Sequence, residues 1–364
     1  MEPQSSASRP RPIEIRVGLP RPGGALAAAA RALGYKVMVS ANSFVSRDTY
    51  GDPVRVRRPG SCFAGLDAAL DSGGFVGMAH YGSLPLPTEA YVHRVVATYP
   101  WSWYAQPDYC CEPKLAASRA EVRLRQAASV ALFLECSSIA RRAGLPGPIA
   151  VLQGWRPEDY HRSWEMLPLG DAPPLVGVGS VCARPIHGPT GLMAVVHRID
   201  RVLPRGVHLH LFGVKSAGIR TILSEGGLDG RVKSIDSMAW DFSARMRFRT
   251  GRTVERRVCI MRAWHDRQVE TAATAVASAQ ASLFAGALCS VPSLAPPGDP
   301  ALQEIVDLLA EGEVDLVCAA RLYEEAVISG AAPMPTPLRR APHPRRAPHP
   351  GPAPRSQGEL ALPA

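Results

Sequence analysis

The sequence predicts a (β/α)8 barrel of the TIM type, and three observations carry that expectation. Eight short apolar runs alternate with longer stretches of helical periodicity, the pattern of parallel strands wrapped by helices. Eight is also the number of strands that closes such a barrel. The Gly-rich phosphate fingerprint expected after the first strand of an open, doubly wound sheet is missing, because Val17-Gly18-Leu19-Pro20 does not supply GxGxxG.

Taken in order, residues 1–12 are polar and proline-bearing and are expected to be disordered. The eight strands are expected at Ile13–Val17, Lys36–Ser40, Ala68–Ser72, Trp101–Gln106, Ile149–Gln153, Leu175–Gly179, Val207–Phe212 and Val232–Ile235. Helices are expected over the alanine-rich Gly24–Leu33, over Thr88–Thr98, and over Arg119–Ala143, where Val122, Val130, Leu134 and Ile139 recur at helical spacing. After Asp236 the pattern changes to long helices around Val254–Leu288 and Ala301–Ile328, separated by the breaker Pro292–Pro300. These either close the barrel wall or form a small helical cap. From about Ala331 the chain is Pro, Arg and Ala, with the near repeat Arg340-Ala341-Pro342-His343-Pro344 and Arg346-Ala347-Pro348-His349-Pro350, a composition that cannot build a core. The expected division is a disordered N-terminus at 1–12, a barrel domain at 13–250, a C-terminal helical extension at 251–330 and a disordered Pro/Arg-rich tail at 331–364.

With 364 residues, 46% of them hydrophobic, the chain is large enough to bury a full core and is not a small stapled module. Its eight cysteines are scattered without a repeated CxxC and lie mostly in apolar segments, so they read as reduced, buried thiols of a cytoplasmic protein. No apolar stretch approaches the roughly 18–20 residues of a membrane span, and no secretory h-region is present at the N-terminus. The formal charge of +9 suits a polyanionic partner. Part of that excess sits among the tail prolines, at Arg339, Arg340, Arg345, Arg346 and Arg355.

The chemistry is expected at the strand ends, which in a barrel converge on one face. Asp71, in Asp71-Ser72-Gly73-Gly74-Phe75, and Asp236, in Ser234-Ile235-Asp236-Ser237-Met238, each stand at the polar end of an apolar run. A carboxylate pair so placed can attack one carbon and shuttle one proton, although an aspartate at a strand end also serves as a turn former or a helix cap. Three further ends belong with them: Gln106-Pro107-Asp108-Tyr109-Cys110-Cys111-Glu112-Pro113, Val151-Leu152-Gln153-Gly154-Trp155, and Val176-Gly177-Val178-Gly179-Ser180-Val181-Cys182. Glycine at a strand end lets a flat ligand lie against backbone, or simply allows tight packing. Gln153 can donate and accept in one plane, as reading a purine edge requires, and can equally bond a loop.

With these motifs the sequence closely resembles the tRNA-guanine transglycosylase superfamily, and within it the DNA 7-deazaguanine transglycosylases of the DpdA (deoxypurine in DNA protein A) branch. The similarity runs from about Ile15 to Arg245 and also takes in Asp159-Tyr160, Leu209-His210-Leu211-Phe212-Gly213-Val214-Lys215 and Ala244-Arg245. The resemblance implies base exchange, in which guanine is cut from DNA and a 7-deazaguanine, preQ0 in particular, is joined to the same sugar carbon. It gives Asp236 as the nucleophile and Asp71 as the proton-transfer group. Asp108, Gln153 and the Gly179-Ser180 backbone match the positions that hold the base, with Ser72 and Gly154 beside them; apart from the resemblance, Lys215 stands where a lysine can meet a phosphate or simply form a solvated strand end. The implied partners are DNA, with tRNA as the alternative, a 7-deazaguanine base, and accessory proteins of a DNA-modification system.

The tRNA enzymes carry a structural zinc on a cysteine cluster and a histidine after the nucleophile. Here that region offers Cys259, His265, Cys289 and Cys318, with no pair at zinc spacing, so neither zinc nor another cofactor is expected. His208 and His210 share one strand face and read as wall residues. The rival functions are a tRNA transglycosylase of the queuosine or archaeosine type, a catalytically idle barrel that binds a nucleobase or nucleic acid, and a simple glycoside hydrolase. Intact Asp71 and Asp236 speak against the idle form, and a hydrolase has no need of a base-reading set.

Overall fold

A computed structural model describes residues 13–182, 184–214, 216–224, 228, 230–247 and 253–285. All of them fall in one compact unit ending at Leu294. The strands are β1 (Glu14–Leu19), β2 (Val37–Ser40), β3 (Val45–Arg47), β4 (Pro53–Val56), β5 (Ala68–Asp71), β6 (Trp103–Tyr104), β7 (Val151–Leu152), β8 (Leu175–Val178), β9 (His208–Leu211) and β10 (Val232–Ser237). Eight of these make one parallel sheet in the order β6-β5-β2-β1-β10-β9-β8-β7. That order is the chain order read around a ring. The two free edges meet where Ala105 bridges Ile149 in parallel, and the Gln106 and Ile149 amides donate to Ile149 and Tyr104 carbonyls. The expected α/β barrel is therefore the fold, with its seam between β6 and β7.

The helices among the described residues are α1 (Gly24–Ala32), α2 (Gly74–Val76), α3 (Thr88–Arg94), α4 (Arg119–Arg142), α5 (Pro157–Glu165), α6 (Leu192–Val202), α7 (Ser216–Ser224), α8 (Ala239–Arg247) and α9 (Val254–Ala285). Helix α4 starts where Ser118 accepts the Glu121 amide and the Glu121 carboxylate accepts the Ala117 amide, a reciprocal cap. Its inward stripe is Val122, Gln126, Ser129, Cys136, Ile139 and Ala140. Leu134 instead faces solvent at 50% exposure, so the apolar spacing read from the sequence was partly an outer-face coincidence. Helix α9 packs on α1, α7 and α8 and adds Met261, Trp264 and Ala272 to the aliphatic core shared by strands and helices. No helix among the described residues is long and apolar enough to cross a membrane.

Three departures from the sequence reading bear on the site. The sixth strand shrinks from the expected Trp101–Gln106 to two residues, because beyond the Ala105 bridge the Gln106 side chain turns to bond Ser129 O and the Val151 amide. The last strand extends to Ser237, so Asp236 lies inside it and is held by ladder pairing opposite Arg16. The β3/β4 hairpin was not expected at all. Its strands are short, and only the paired Val45 and Val56 pack against the core, with Ser46, Arg47 and Arg55 between them, so too few apolar positions recur to mark an alternation.

The barrel lumen is polar and aromatic where it backs the site. Trp103 on β6 and His210 on β9 are not sheet neighbours, yet their rings lie 4.6 Å apart, which is possible only across the lumen. The Arg16 guanidinium sits 5.5 Å from the Trp103 ring and pairs with Glu14 and Asp67 at 2.6 and 3.0 Å. Successive strand residues alternate faces, so Val17, Leu209, Leu211 and Ile235 point outward into the helix-covered core.

Candidate active site

Asp71 closes β5, and the chain then turns through Gly73 at φ +81°, a left-handed conformation that suits glycine. A Cβ at Gly73 would also lie 2.3 Å from Asn42 Nδ2, the amide that holds the Gly73 carbonyl at 2.7 Å. The tight turn lets the Gly73 amide donate to Asp71 Oδ2 at 3.1 Å. It also brings Gly74 so close to Asp108 that a Cβ there would meet the Asp108 carbonyl at 2.4 Å. The DSGGF run thus welds the β5 loop to the β6 loop.

Asp108 is buried, and its two oxygens are divided between neighbours: Ser72 Oγ donates to Oδ1 at 2.7 Å, and Gln153 Nε2 makes a short hydrogen bond to Oδ2. Gln153 Oε1 faces Ser180 Oγ at 2.7 Å, and that hydroxyl also lies 3.0 Å from Glu112 Oε2 and accepts the Cys111 amide at 2.8 Å. One network therefore joins the loops after β5, β6, β7 and β8. Ser180 has φ +53°, the one non-glycine residue in that region among the described residues, a strained conformation held by this network. Gly179 makes the network possible, since a Cβ there would fall 2.2 Å from Gln153 Nε2.

On the far side, Asp236 Oδ1 accepts the Gly213 amide at 2.8 Å, and His210 Nε2 lies 3.4 Å from the same oxygen. His210 is fully buried and its Nδ1 is 2.8 Å from Ser234 Oγ. Burial lowers its pKa against the pull of Asp236, so the ring is held neutral. It is thus no mere wall residue but stands directly behind a carboxylate of the site.

The Asp71 carboxyl lies within reach of the charges of Asp108 and Asp236. Burial first, then the charges of Asp108 and Asp236, push the Asp71 carboxyl up to about 7, against hydrogen bonds from the Gly73 amide and Ser40. Burial raises Asp108 to about 6, with Ser72 and Gln153 opposing the rise and Glu112 adding to it. Like charges this close resist joint ionisation, a pattern that acid–base sites share with structural charge clusters.

The structure thus brings together Asp71, Ser72, Asp108, Gln153, Gly179, Ser180 and Asp236. Gly154 sits at their edge with its carbonyl taken by Arg184 at 3.0 Å, and a Cβ there would strike Asp159 Cβ at 2.6 Å. Lys215 lies outside the described residues. Among the described residues no group of three or more His, Cys, Asp and Glu could hold a metal ion. His265 stacks on Tyr35 at 3.9 Å, Cys259 is exposed, and Cys289 and Cys318 lie outside the described residues.

Sequence reasoning missed the residues that brace the site. Buried Arg184 spends its guanidinium on the carbonyls of Ser180, Trp155, Thr190 and Gly154 and on the Tyr160 hydroxyl. Gln126, inside α4, donates to the carbonyls of Gln153 and Asp159 at 2.6 Å each. Asp159 in turn accepts the Trp155 and Arg156 amides, which explains its place just after the Gln153-Gly154-Trp155 run. A lone arginine or glutamine has no spacing signal, whereas Glu112 stood within a motif already singled out.

Residues 41–295 match the DpdA family, DeoxyPurine in DNA protein A. The chain belongs to the DpdA family. Membership gives the coarse assignment, a transglycosylase family that modifies deoxypurines in DNA. The match begins after β1 and β2 and runs past α9, whereas the motif resemblance spans about Ile15 to Arg245. No curated protein matches the chain.

Proposed function

We propose that this DpdA protein exchanges guanine in DNA for a 7-deazaguanine base, preQ0 in particular, through a covalent aspartyl–sugar intermediate. The observation that carries the reading is the convergence of Asp71, Asp108 and Asp236, with Asp71 pushed up to about 7 by burial first and then by the charges of the other two. With Oδ1 engaged by the Gly213 amide, Asp236 has Oδ2 for attack on the sugar C1′. The carboxylate–C1′ bond forms as the glycosidic bond breaks, through an oxocarbenium-like transition state. Asp71, protonated, gives its proton to the departing guanine. The entering base then loses its ring proton to the Asp71 carboxylate and attacks C1′, freeing Asp236.

Asp108, braced by Ser72 and Gln153, would accept hydrogen bonds from the ring N–H and exocyclic amine of a guanine-like base, since each carboxylate oxygen keeps a further lone pair. Ser180 and Gly179 complete that edge, with Gly154 supporting the loop and Lys215 meeting a phosphate. In duplex DNA the target would first be flipped out of the stack. The reading carries with it a cytoplasmic location and accessory proteins of a DNA-modification system as further partners.

Two substitutions probe the base-holding edge and the nucleophile's support. Gly179→Ala should displace Gln153 and raise KM for the base by roughly two- to tenfold while kcat falls less, since one well-made hydrogen bond is worth roughly 0.5–1.5 kcal/mol. An unchanged KM would remove Gln153 from base holding. His210→Gln, which keeps a donor near the Nε2 position, should hold kcat within a few-fold, whereas His210→Asn, which replaces only Nδ1, should lower it roughly tenfold at constant KM. Equal losses in both variants would deny the Nε2 contact a role.

The deciding experiment is incorporation of labelled preQ0 or guanine into DNA and into tRNA by the purified full-length chain. Incorporation into DNA is expected. Incorporation into tRNA alone would overturn the DNA reading, and incorporation into neither would favour the idle barrel or a required partner.

A further inference from the structure

The β3/β4 hairpin rises from the same rim as the site and is tied to it at both ends. Its base follows Ser40, whose side chain bonds Asp71, and Asn42, whose amide holds the Gly73 carbonyl. Its tip is pinned to Tyr81, at the end of the helical turn Gly77–Tyr81 in the loop that follows β5. Arg47 donates to the Gly51 carbonyl at 2.7 Å while its guanidinium lies 3.9 Å over the Tyr81 ring. The strand leaving the hairpin is fastened to the β1–α1 loop by the Gly60 amide on the Pro22 carbonyl at 2.8 Å.

What this hairpin offers solvent is mainly cationic and aromatic, with three exposed arginines after the tip against the two tip acids Asp48 and Asp52. Arg55, Arg57 and Arg58 are exposed, and so is Arg21 on the adjoining β1–α1 loop. Arg57 is steadied by Ser46 Oγ at 2.9 Å. Among the described residues Arg21, Arg55 and Arg58 have no acidic partner, and Arg47 Nη2, though buried, has no hydrogen-bond partner. The tip acids Asp48 and Asp52 are exposed as well, and Asp48 Oδ1 accepts the Tyr50 and Asp52 amides at 2.9 Å each. Tyr50 is 91% exposed and Val54 62%, so large apolar side chains stand between unpaired arginines.

We propose that the β3/β4 hairpin, with Arg21, grips the DNA backbone beside the target nucleotide. The inference rests on DNA being the substrate, as proposed above, and deepens it by assigning the surface that holds the strand. Guanidinium forks match phosphate oxygens, and an exposed aromatic gives an unstacked base a face to rest on. Because the hairpin is fastened to the loop of Asp71, a strand held there is held in register with the site.

The test measures binding of labelled single-stranded and duplex DNA, and of tRNA, by the full-length chain across a salt series. It compares wild type with Arg55→Ala/Arg58→Ala and with Arg141→Ala/Arg142→Ala, which removes the same charge at the opposite end of the barrel. The hairpin pair should weaken DNA binding about tenfold or more at low salt. It should also reduce the log–log salt slope by roughly 1.4 on single strands or 1.8 on duplex, two phosphate contacts' worth. The opposite pair should leave the slope as in wild type. Equal changes in the two pairs, an unchanged slope in the hairpin pair, or a wild type that binds tRNA and not DNA would each overturn the proposal. Failure of base exchange in a protein whose hairpin slope behaves as expected would instead sink the transglycosylase reading and leave the hairpin standing.

Discussion

Asp236→Asn should reduce base exchange by on the order of 10⁶-fold, the scale on which loss of a catalytic nucleophile acts. The amide keeps the shape of the carboxylate and its Oδ1 can still accept the Gly213 amide at 2.8 Å, so strand β10 and the Asp108 network have no reason to move. What disappears is the oxygen able to form an ester with C1′. Guanine should therefore still bind, and labelled DNA should no longer be trapped on the protein in a denaturation-resistant adduct. An adduct recovered from the variant would transfer the nucleophile's role to another residue.

Asp71→Asn should slow exchange by roughly 10² to 10⁴, the usual worth of a positioned acid–base group, and should also flatten the pH profile. With its pKa pushed up to about 7, Asp71 is protonated below that value and can donate to the leaving guanine, so departure of guanine should decline as pH rises through about 7. Capture of the entering base needs the ionised form and should decline as pH falls through the same range. Single-turnover rates of the two half reactions should show limbs of opposite sign in wild type and none near 7 in the variant.

The same carboxyl has a stability consequence of fixed sign. Its folded pKa lies above the ordinary value of 3.8, so the folded state holds the proton more tightly, and the stabilisation present below the ordinary value is lost as pH rises through about 7. Asp71→Asn should abolish that loss and make the variant more stable than wild type above neutrality, as denaturant melts across the range would show. A variant less stable than wild type at every pH would mean that the carboxylate is a structural bond and not a strained functional group.

Much of the site was legible because its residues stand at ends of apolar runs. Asp71, Asp108, Gln153, Gly179 and Asp236 each sit where a parallel strand stops or is about to, and a closed ring of parallel strands gathers such ends on one face. The glycines were legible as a type but not as a purpose. Only the fold shows that Gly179 leaves room for the Gln153 amide and that Gly74 leaves room for the Asp108 carbonyl.

The sequence by itself determined the eight parallel strands, the family and the three carboxylates, because period, strand-end chemistry and ordered motifs are local properties that survive without coordinates. Only the tertiary structure decided how those groups are supported. His210 meets Asp236 because β9 and β10 pair in register, and it meets Trp103 because the lumen lets β6 and β9 touch. Arg184 ties the Gly154 and Trp155 carbonyls of the loop after β7 to the Ser180 and Thr190 carbonyls of its own loop, and the β3/β4 hairpin has only Val45 and Val56 to mark an apolar face. Contacts of that kind depend on closure of the barrel, which brings distant segments within hydrogen-bond range, and no spacing along the chain encodes them.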